Sequence, residues 1–267
     1  MLLSTVKAAE LLGVKPSTIK RWSDQGLLRS LRTPGGHRRF DRQDVLLFAA
    51  RQTRPASAGV SLQSLLDWLL TGRRQEVDAF LLSSRSRLGA WFRVADEVGS
   101  LLTETGDRWS SGDLSIAQEH LLSDGFSRAI GRMTQSIPLP SHPPLAALAS
   151  VEGDTHTLGL SLAELCLVEG GYQTLWLGAS TPASEVASLL DRSPVRLVAL
   201  SASAISNQPQ RMLEIASQIG AACQRHQIDL VLGGNGAWPE PPPFGARLHS
   251  FSDLHAHLST LAKGAPI

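Results

Sequence analysis

The sequence predicts a multidomain chain of mixed α and α/β class: a winged helix-turn-helix head, a four-helix bundle and a Rossmann-like domain. Three observations predict it. Positive charge is concentrated near the N-terminus, the stretch SIPLPSHPP separates a helical segment from the remainder, and beyond it apolar strand-like runs alternate with helical ones. The expected domains are 1–55, 61–137 and 144–265. At 267 residues the chain can hold two or three domains and more than one core. Its 42% hydrophobic and 18% charged residues describe a folded chain and exclude a disordered one. No apolar run reaches membrane-spanning length, and MLLSTVKAAELL lacks the features of a signal peptide, so a cytoplasmic protein with no membrane partner is expected. Cys166 and Cys223 each lie in an apolar helical pattern and read as reduced core thiols.

The net charge of +1 hides an asymmetry. Residues 1–56 hold eleven Lys or Arg against four Asp or Glu, a net +7, which leaves −6 for the rest. A small basic domain is the electrostatic footprint of nucleic-acid binding, although it can also be merely soluble. Within it, STVKAAELLGV reads as a helix capped by Ser4 and stopped at Gly13. KPSTIKRWSDQG reads as a second helix with Ser17 as N-cap and Gly26 as its end. Two short helices across a tight turn form a helix-turn-helix, whose second helix is shaped for the major groove. Thr18, Lys20 and Arg21 fall on its groove-facing side, and Trp22 reads as its core anchor. LLRSLRTPGGHRRF then forms a hairpin around Pro34-Gly35-Gly36, which puts Arg32, His37, Arg38 and Arg39 together on one exposed loop. Such a wing lays cations along phosphates or into the minor groove; the alternative is a solvated basic turn. A third helix, RQDVLLFAARQ, and a linker, TRPASAG, complete the unit.

From Leu62 to about Gln135 the pattern is helical, with breaks at Gly72, SSRSRLG and GDRWSSGD, which implies four helices. The candidate strands that follow are LAALASV, YQTLWLGA, VRLVALSAS, IDLVLGG and ARLHSF. Alternation of strands and helices predicts a doubly wound parallel sheet. In such sheets ligands bind beyond the carboxyl ends of the strands. His156, in GDTHTLG just after the first strand, is therefore aimed into that crevice. A neutral imidazole is a good transition-metal ligand, and Asp154 is placed to hold the other ring nitrogen. The bland alternative is a Gly153-Asp154 turn with His156 at the start of a helix. Ser201 and Ser203 end the third strand and Gly233 and Gly234 the fourth, where small residues admit a ligand close to the backbone.

Three resemblances follow. TVKAAELLGVKPSTIKRW with RTPGGHRRF looks like the winged-helix head of MerR-family transcription regulators. Asp154-x-His156-x-x-Gly159, then Ser201-x-Ser203, then Gly233-Gly234, resembles the cobalamin-binding signature, with Ser203 standing where that pattern usually has Leu or Thr. The resemblance implies that His156 replaces the cofactor's own benzimidazole as lower cobalt ligand and that the displaced nucleotide tail lies beside Gly159, the serines and the glycines. In WSSGDLSIAQEH, Trp109, Glu119 and His120 resemble the upper-face motif of the CarH-like cobalamin-dependent photoreceptor regulators. That likeness implies a tryptophan packed on the corrin and a glutamate hydrogen-bonded to the adenosyl group. The family has a histidine directly after the tryptophan where this chain has Ser110, so the illuminated state is expected to hold its corrinoid more loosely.

The resulting expectation is a regulator and not an enzyme, since no catalytic constellation stands out. Adenosylcobalamin, with its cobalt, would drive assembly of a homo-oligomer, a tetramer in the dark, on double-stranded operator DNA, and light would disassemble it. The alternatives are a corrinoid methyl carrier, against which the basic head argues, and a MerR-type regulator that binds no cobalamin.

Overall fold

The computed structural model describes residues 2–12, 14, 16–24, 28–33, 35–42, 44–45, 48, 60–110 and 115–264. The chain divides into two compact units, Met1–Gly89 and Ala90–Ile267.

In the first unit, strand β1 (Leu2–Ser4), helices α1 (Thr5–Leu11) and α2 (Pro16–Asp24), and strands β2 (Leu31–Arg32) and β3 (Arg38–Asp41) form the head. Its antiparallel sheet has the order β1-β3-β2. The expected hairpin is β2-β3. Strand β1 was not foreseen, because three residues leading straight into a helix carry no alternation to read. Ser4 caps α1 as expected, accepting from the Lys7 N–H at 3.3 Å. Ser17 is not the cap of α2, which already begins at Pro16; proline fits the first helical turn because its missing N–H would find no helical partner there. Leu3, Ala8, Ala9, Ile19, Leu28 and Phe40 form the head's core, with Trp22 tilted against Phe48 at 4.8 Å. Most of the third head helix, and the TRPASAG linker, lie outside the described residues.

Helices α3 (Leu62–Leu70) and α4 (Arg74–Leu88) complete the unit. Gly72, at φ +70°, separates them as expected. The serines of SSRSRLG do not break α4. It runs through them and stops at Gly89, whose φ of 81° is the left-handed conformation that side chains resist.

The second unit opens with helices α5 (Trp91–Ser110) and α6 (Ile116–Gln135). Helix α5 continues through Gly106 to Ser110, and the rest of the GDRWSSGD segment lies outside the described residues. Ser115 and Gln118 form a reciprocal capping box that starts α6. Then come β4 (Leu145–Val151), α7 (Leu158–Glu169), β5 (Gln173–Thr181), α8 (Ala183–Leu190), β6 (Val195–Ser201), α9 (Pro209–His226), β7 (Asp229–Gly233), β8 (Ala246–Arg247) and α10 (Phe251–Gly264). ARLHSF supplies only a two-residue strand, because Phe251 already belongs to α10.

All neighbouring strands are parallel, in the order β5-β4-β6-β7-β8. After β4 the chain adds β5 on one side and then β6 on the other. The order reverses between β4 and β6, and the crevice opens at their carboxyl ends. Helices α8 and α9 cover one face through Val186, Leu190, Ile215 and Ile219. Helix α7 is buried on most sides, packing on the sheet on one side and on α5, α6 and α10 on the others.

Two carboxylates fasten these helices together. Glu169 accepts from the N–H groups of Trp91, at 2.9 and 2.8 Å, and of Phe92, at 3.2 Å. Asp96 accepts from the Phe251 N–H at 2.7 Å and from the Ser252 hydroxyl at 2.5 Å. Each anion sits at a helix N-terminus, whose dipole it complements. Cys166 and Cys223 are free and buried; burial pushes both thiols up, that of Cys223 to about 12.

Candidate functional site

The β4–α7 loop is built around one buried anion. Gly153 turns the chain at φ +86°, and Ser150, fully buried at the end of β4, donates to the Asp154 carbonyl at 2.6 Å. Ser150 Oγ also accepts from the Ser180 N–H at 3.0 Å, which ties the loop to β5. The Asp154 side chain thereby turns inward and is 0% exposed.

Its oxygens are fully used. Oδ1 accepts from the His156 N–H at 3.0 Å and the Ser203 hydroxyl at 3.1 Å, and lies 3.1 Å from His156 Nδ1. Oδ2 accepts from the Ser203 N–H at 2.5 Å and the Ser206 hydroxyl at 2.9 Å. Burial pushes the Asp154 carboxyl up, but the hydrogen bonds from Ser203, His156 and Ser206 outweigh it and hold the group below its ordinary range. An ionised carboxylate only accepts, so His156 Nδ1 donates to it, and in the neutral imidazole that tautomer puts the lone pair on Nε2. The imidazole is 55% exposed and anchored through Nδ1 on Asp154, an arrangement that would leave Nε2 available to a ligand.

The floor of the crevice is made of small residues. Ser150, Ser201 and Gly233 lie side by side across the ends of β4, β6 and β7. A Cβ on Gly159 would meet Ser201 Oγ at 3.8 Å, and one on Gly233 would meet the Leu200 carbonyl at 3.8 Å. Those are ordinary contacts, so the chain's own packing does not require glycine at either place. Their bareness leaves a cradle. Gly234 is different: at φ +81° its Cβ would stand 2.3 Å from the Ala202 carbonyl, and the turn itself demands glycine.

Asp154, His156 and Ser203 are thus brought into one network, and Gly159, Ser201, Gly233 and Gly234 lie around the same strand ends. Sequence reading missed Ser206 and Ser150, although Ser206 follows Ser201 by one short loop. The upper-face candidates stand elsewhere in the same unit. Trp109 and Ser110 end α5, their side chains outside the description. Glu119, in the first turn of α6, accepts from Ser123 Oγ at 2.5 Å, while His120 is 73% exposed.

In the head, Lys20, Arg32 and His37 are exposed, Thr18 is half-buried, and the Arg21 side chain lies outside the description. Arg38 and Arg39 were expected on the exposed loop; both lie on β3 and are half-buried. Register explains this: Arg38 pairs with Arg32 and Arg39 with Leu31, leaving Gly35, Gly36 and His37 nearer the tip. Arg38 Nη1 donates to the Lys20 carbonyl at 2.8 Å and pins the wing to α2.

The sequence matches two known families, the helix-turn-helix domain over residues 2–53 and the B12 binding domain over residues 61–133. A helix-turn-helix head joined to a B12 binding domain and a parallel α/β sheet defines the class of this chain. Over 215 residues it is 29% identical to the HTH-type transcriptional repressor CarH of Myxococcus xanthus, covering 67% of this chain and 71% of that protein. The resemblance to CarH-like regulators therefore extends well beyond the short motifs. In fold the chain is similar to the monomethylamine corrinoid protein of Methanosarcina barkeri, with TM-score 0.57 at 16% identity over 74% of this chain and 96% of that one.

Proposed function

We propose that this chain is a cobalamin-dependent, light-responsive transcriptional repressor of the MerR type, acting in the cytoplasm as a regulator and not an enzyme. The observation that carries the cofactor is the His156 imidazole. One ring nitrogen is fixed by a buried anion and the other is a single exposed ligand. A lone imidazole suits a metal that brings its other ligands with it, as cobalt does in a corrin ring. Asp154 and Ser203 orient His156, and Gly159, Ser201, Gly233 and Gly234 would receive the nucleotide tail. Trp109, Glu119 and, beside them, His120 are assigned to the opposite face of the corrin. Adenosylcobalamin, when bound, supplies a light-sensitive cobalt–carbon bond.

Linkage gives the logic of control. A ligand that binds the assembled state better stabilises assembly, and losing it reverses that effect. Several weak heads joined in a tetramer gain DNA affinity by effective concentration. Mixing the protein with adenosylcobalamin in the dark and recording the spectrum after gel filtration tests the reading. A retained, histidine-ligated corrinoid supports it, and a colourless protein refutes it.

Two variants test its parts. Gly159→Ala should raise the stability of the cofactor-free protein by about 0.5–1 kcal/mol, since alanine fits there and favours a helix. It should also weaken cobalamin binding, because the methyl group fills the cradle. If the added methyl leaves affinity unchanged, the tail does not lie at Gly159. On the head, Arg39→Ala should lower the salt slope of DNA binding by about one, as for one lost phosphate contact. An unaltered slope would show that Arg39 does not face the backbone. Arg38→Ala should weaken binding differently, by loosening the wing from α2.

A further inference from the structure

We infer that Arg247 is a positioning residue, which holds the Gly233–Gly234 turn in shape for the nucleotide tail of a corrinoid. The inference rests on the cobalamin reading above and adds a residue to it.

Arg247 comes from β8 at the edge of the sheet, and its side chain is only 10% exposed. A cation buried to that degree needs partners, and it finds them mainly in carbonyl oxygens. Nη1 donates to Leu232 O at 3.0 Å and to Leu248 O at 2.7 Å, and Nη2 donates to Gly234 O at 2.6 Å. Among the described residues its carboxylate neighbour is Glu240, which stands 3.6 Å from Nε and is itself 59% exposed. Nε makes no hydrogen bond among the described residues. Burial pulls the guanidinium down from its ordinary range, with Glu240 opposing. This is an expensive way to bridge β7, β8 and a glycine turn, and an apolar side chain would pack an edge strand at less cost.

The turn explains the expense. Gly234 has no side chain to hold it, and a glycine's backbone is the most easily re-oriented in the chain. Its neighbour's carbonyl is tied as well, by the Trp238 Nε1–H donating to Gly233 O at 2.8 Å. Peptide groups are planar and trans, so fixing the Gly233 and Gly234 carbonyls also fixes the directions of the Gly234 and Asn235 N–H groups. The Ala202 N–H also donates to Gly233 O, at 3.2 Å, so Arg247 adds the hold on the Gly234 carbonyl to a Gly233 carbonyl already held by Trp238 and Ala202. The turn sits beside Ser201 at the crevice floor, where the tail is assigned.

Cobalamin and cobinamide separate this role from general support of the fold, since cobinamide has the same corrin and cobalt without the nucleotide. Arg247→Met keeps the aliphatic stem and removes the donors. Its affinity for cobalamin should fall about tenfold or more, the effect of losing charged hydrogen bonds, while affinity for cobinamide stays within about twofold. Arg247→Lys, which restores a donor, should recover part of the difference. An equal loss for both corrinoids, or no loss for either, overturns the inference. If Arg247→Met does not fold, Trp238→Phe decides. It removes a single donor, and it should again lower the cobalamin-to-cobinamide affinity ratio; an unchanged ratio overturns the inference. Parent protein that binds both equally has no tail slot, and the inference fails. Parent protein that binds neither overturns the cobalamin reading itself.

Discussion

His156→Ala is expected to abolish the histidine-ligated spectrum of bound cobalamin and to weaken its binding by at least tenfold, while leaving the fold intact. The two halves follow from different facts. Losing even a residue that supports a metal ligand costs about 10–100-fold in affinity, and the ligand itself should cost no less. The imidazole is 55% exposed and packs into no core, so its removal should change stability by less than about 1 kcal/mol. Asp154 keeps both Ser203 bonds, the Ser206 bond and the backbone N–H of residue 156. Absorbance titration and urea unfolding on one preparation measure both halves. Unchanged affinity and spectrum would remove His156 from the metal.

Asp154→Asn should do more damage by another route. Oδ1 receives the His156 N–H and Oδ2 receives the Ser203 N–H, and neither backbone donor can reverse its role. Whichever way the asparagine is turned, its amide nitrogen faces one of them. A buried donor left unpaired, together with the lost charge, should cost about 2–4 kcal/mol at neutral pH. The pH dependence has a definite sign. A carboxyl whose folded pKa is depressed stabilises the protein above its ordinary pKa, and that contribution is lost as pH falls toward the depressed value. Parent protein should therefore lose stability from about pH 4 downward, and Asp154→Asn should flatten that part of the curve. Urea midpoints across the acid range check it; equal stability at neutral pH with an unchanged acid slope would contradict the account. His156→Ala spares stability and Asp154→Asn does not, so together they separate the ligand from its support.

What could be read in the sequence is local. Ser4 before α1, the hairpin around Pro34-Gly35-Gly36, and the five apolar runs of the parallel sheet all carry their signals within a few residues. Helix ends were harder. Gly89 stops α4 because its backbone is left-handed, whereas Gly106 lies inside a helix of 20 residues, where its propensity cost of about 1 kcal/mol is outweighed. Serine runs persuade less than either. The candidate site divides in the same way. Asp154 and His156 lie two residues apart, and their relation follows from that spacing. Ser206 reaches Asp154 across 52 residues, and Arg247 reaches Gly234 across 13 through a strand of only two residues. Such contacts depend on strand order and register, which no short stretch encodes. Arg38 shows the same limit: nothing in the residues around it announces the hydrogen bond it donates to the Lys20 carbonyl.

Adenosylcobalamin is proposed to assemble this chain, and light to reverse the assembly. Light scattering on a gel-filtration column, with absorbance recorded across the peak, tests it in three samples: cofactor-free, loaded in the dark, and loaded then exposed to green light. A larger molar mass is expected only in the dark, loaded sample, with the corrinoid absorbance under the same peak. The same mass in all three samples, or a dark peak without corrinoid absorbance, would contradict it.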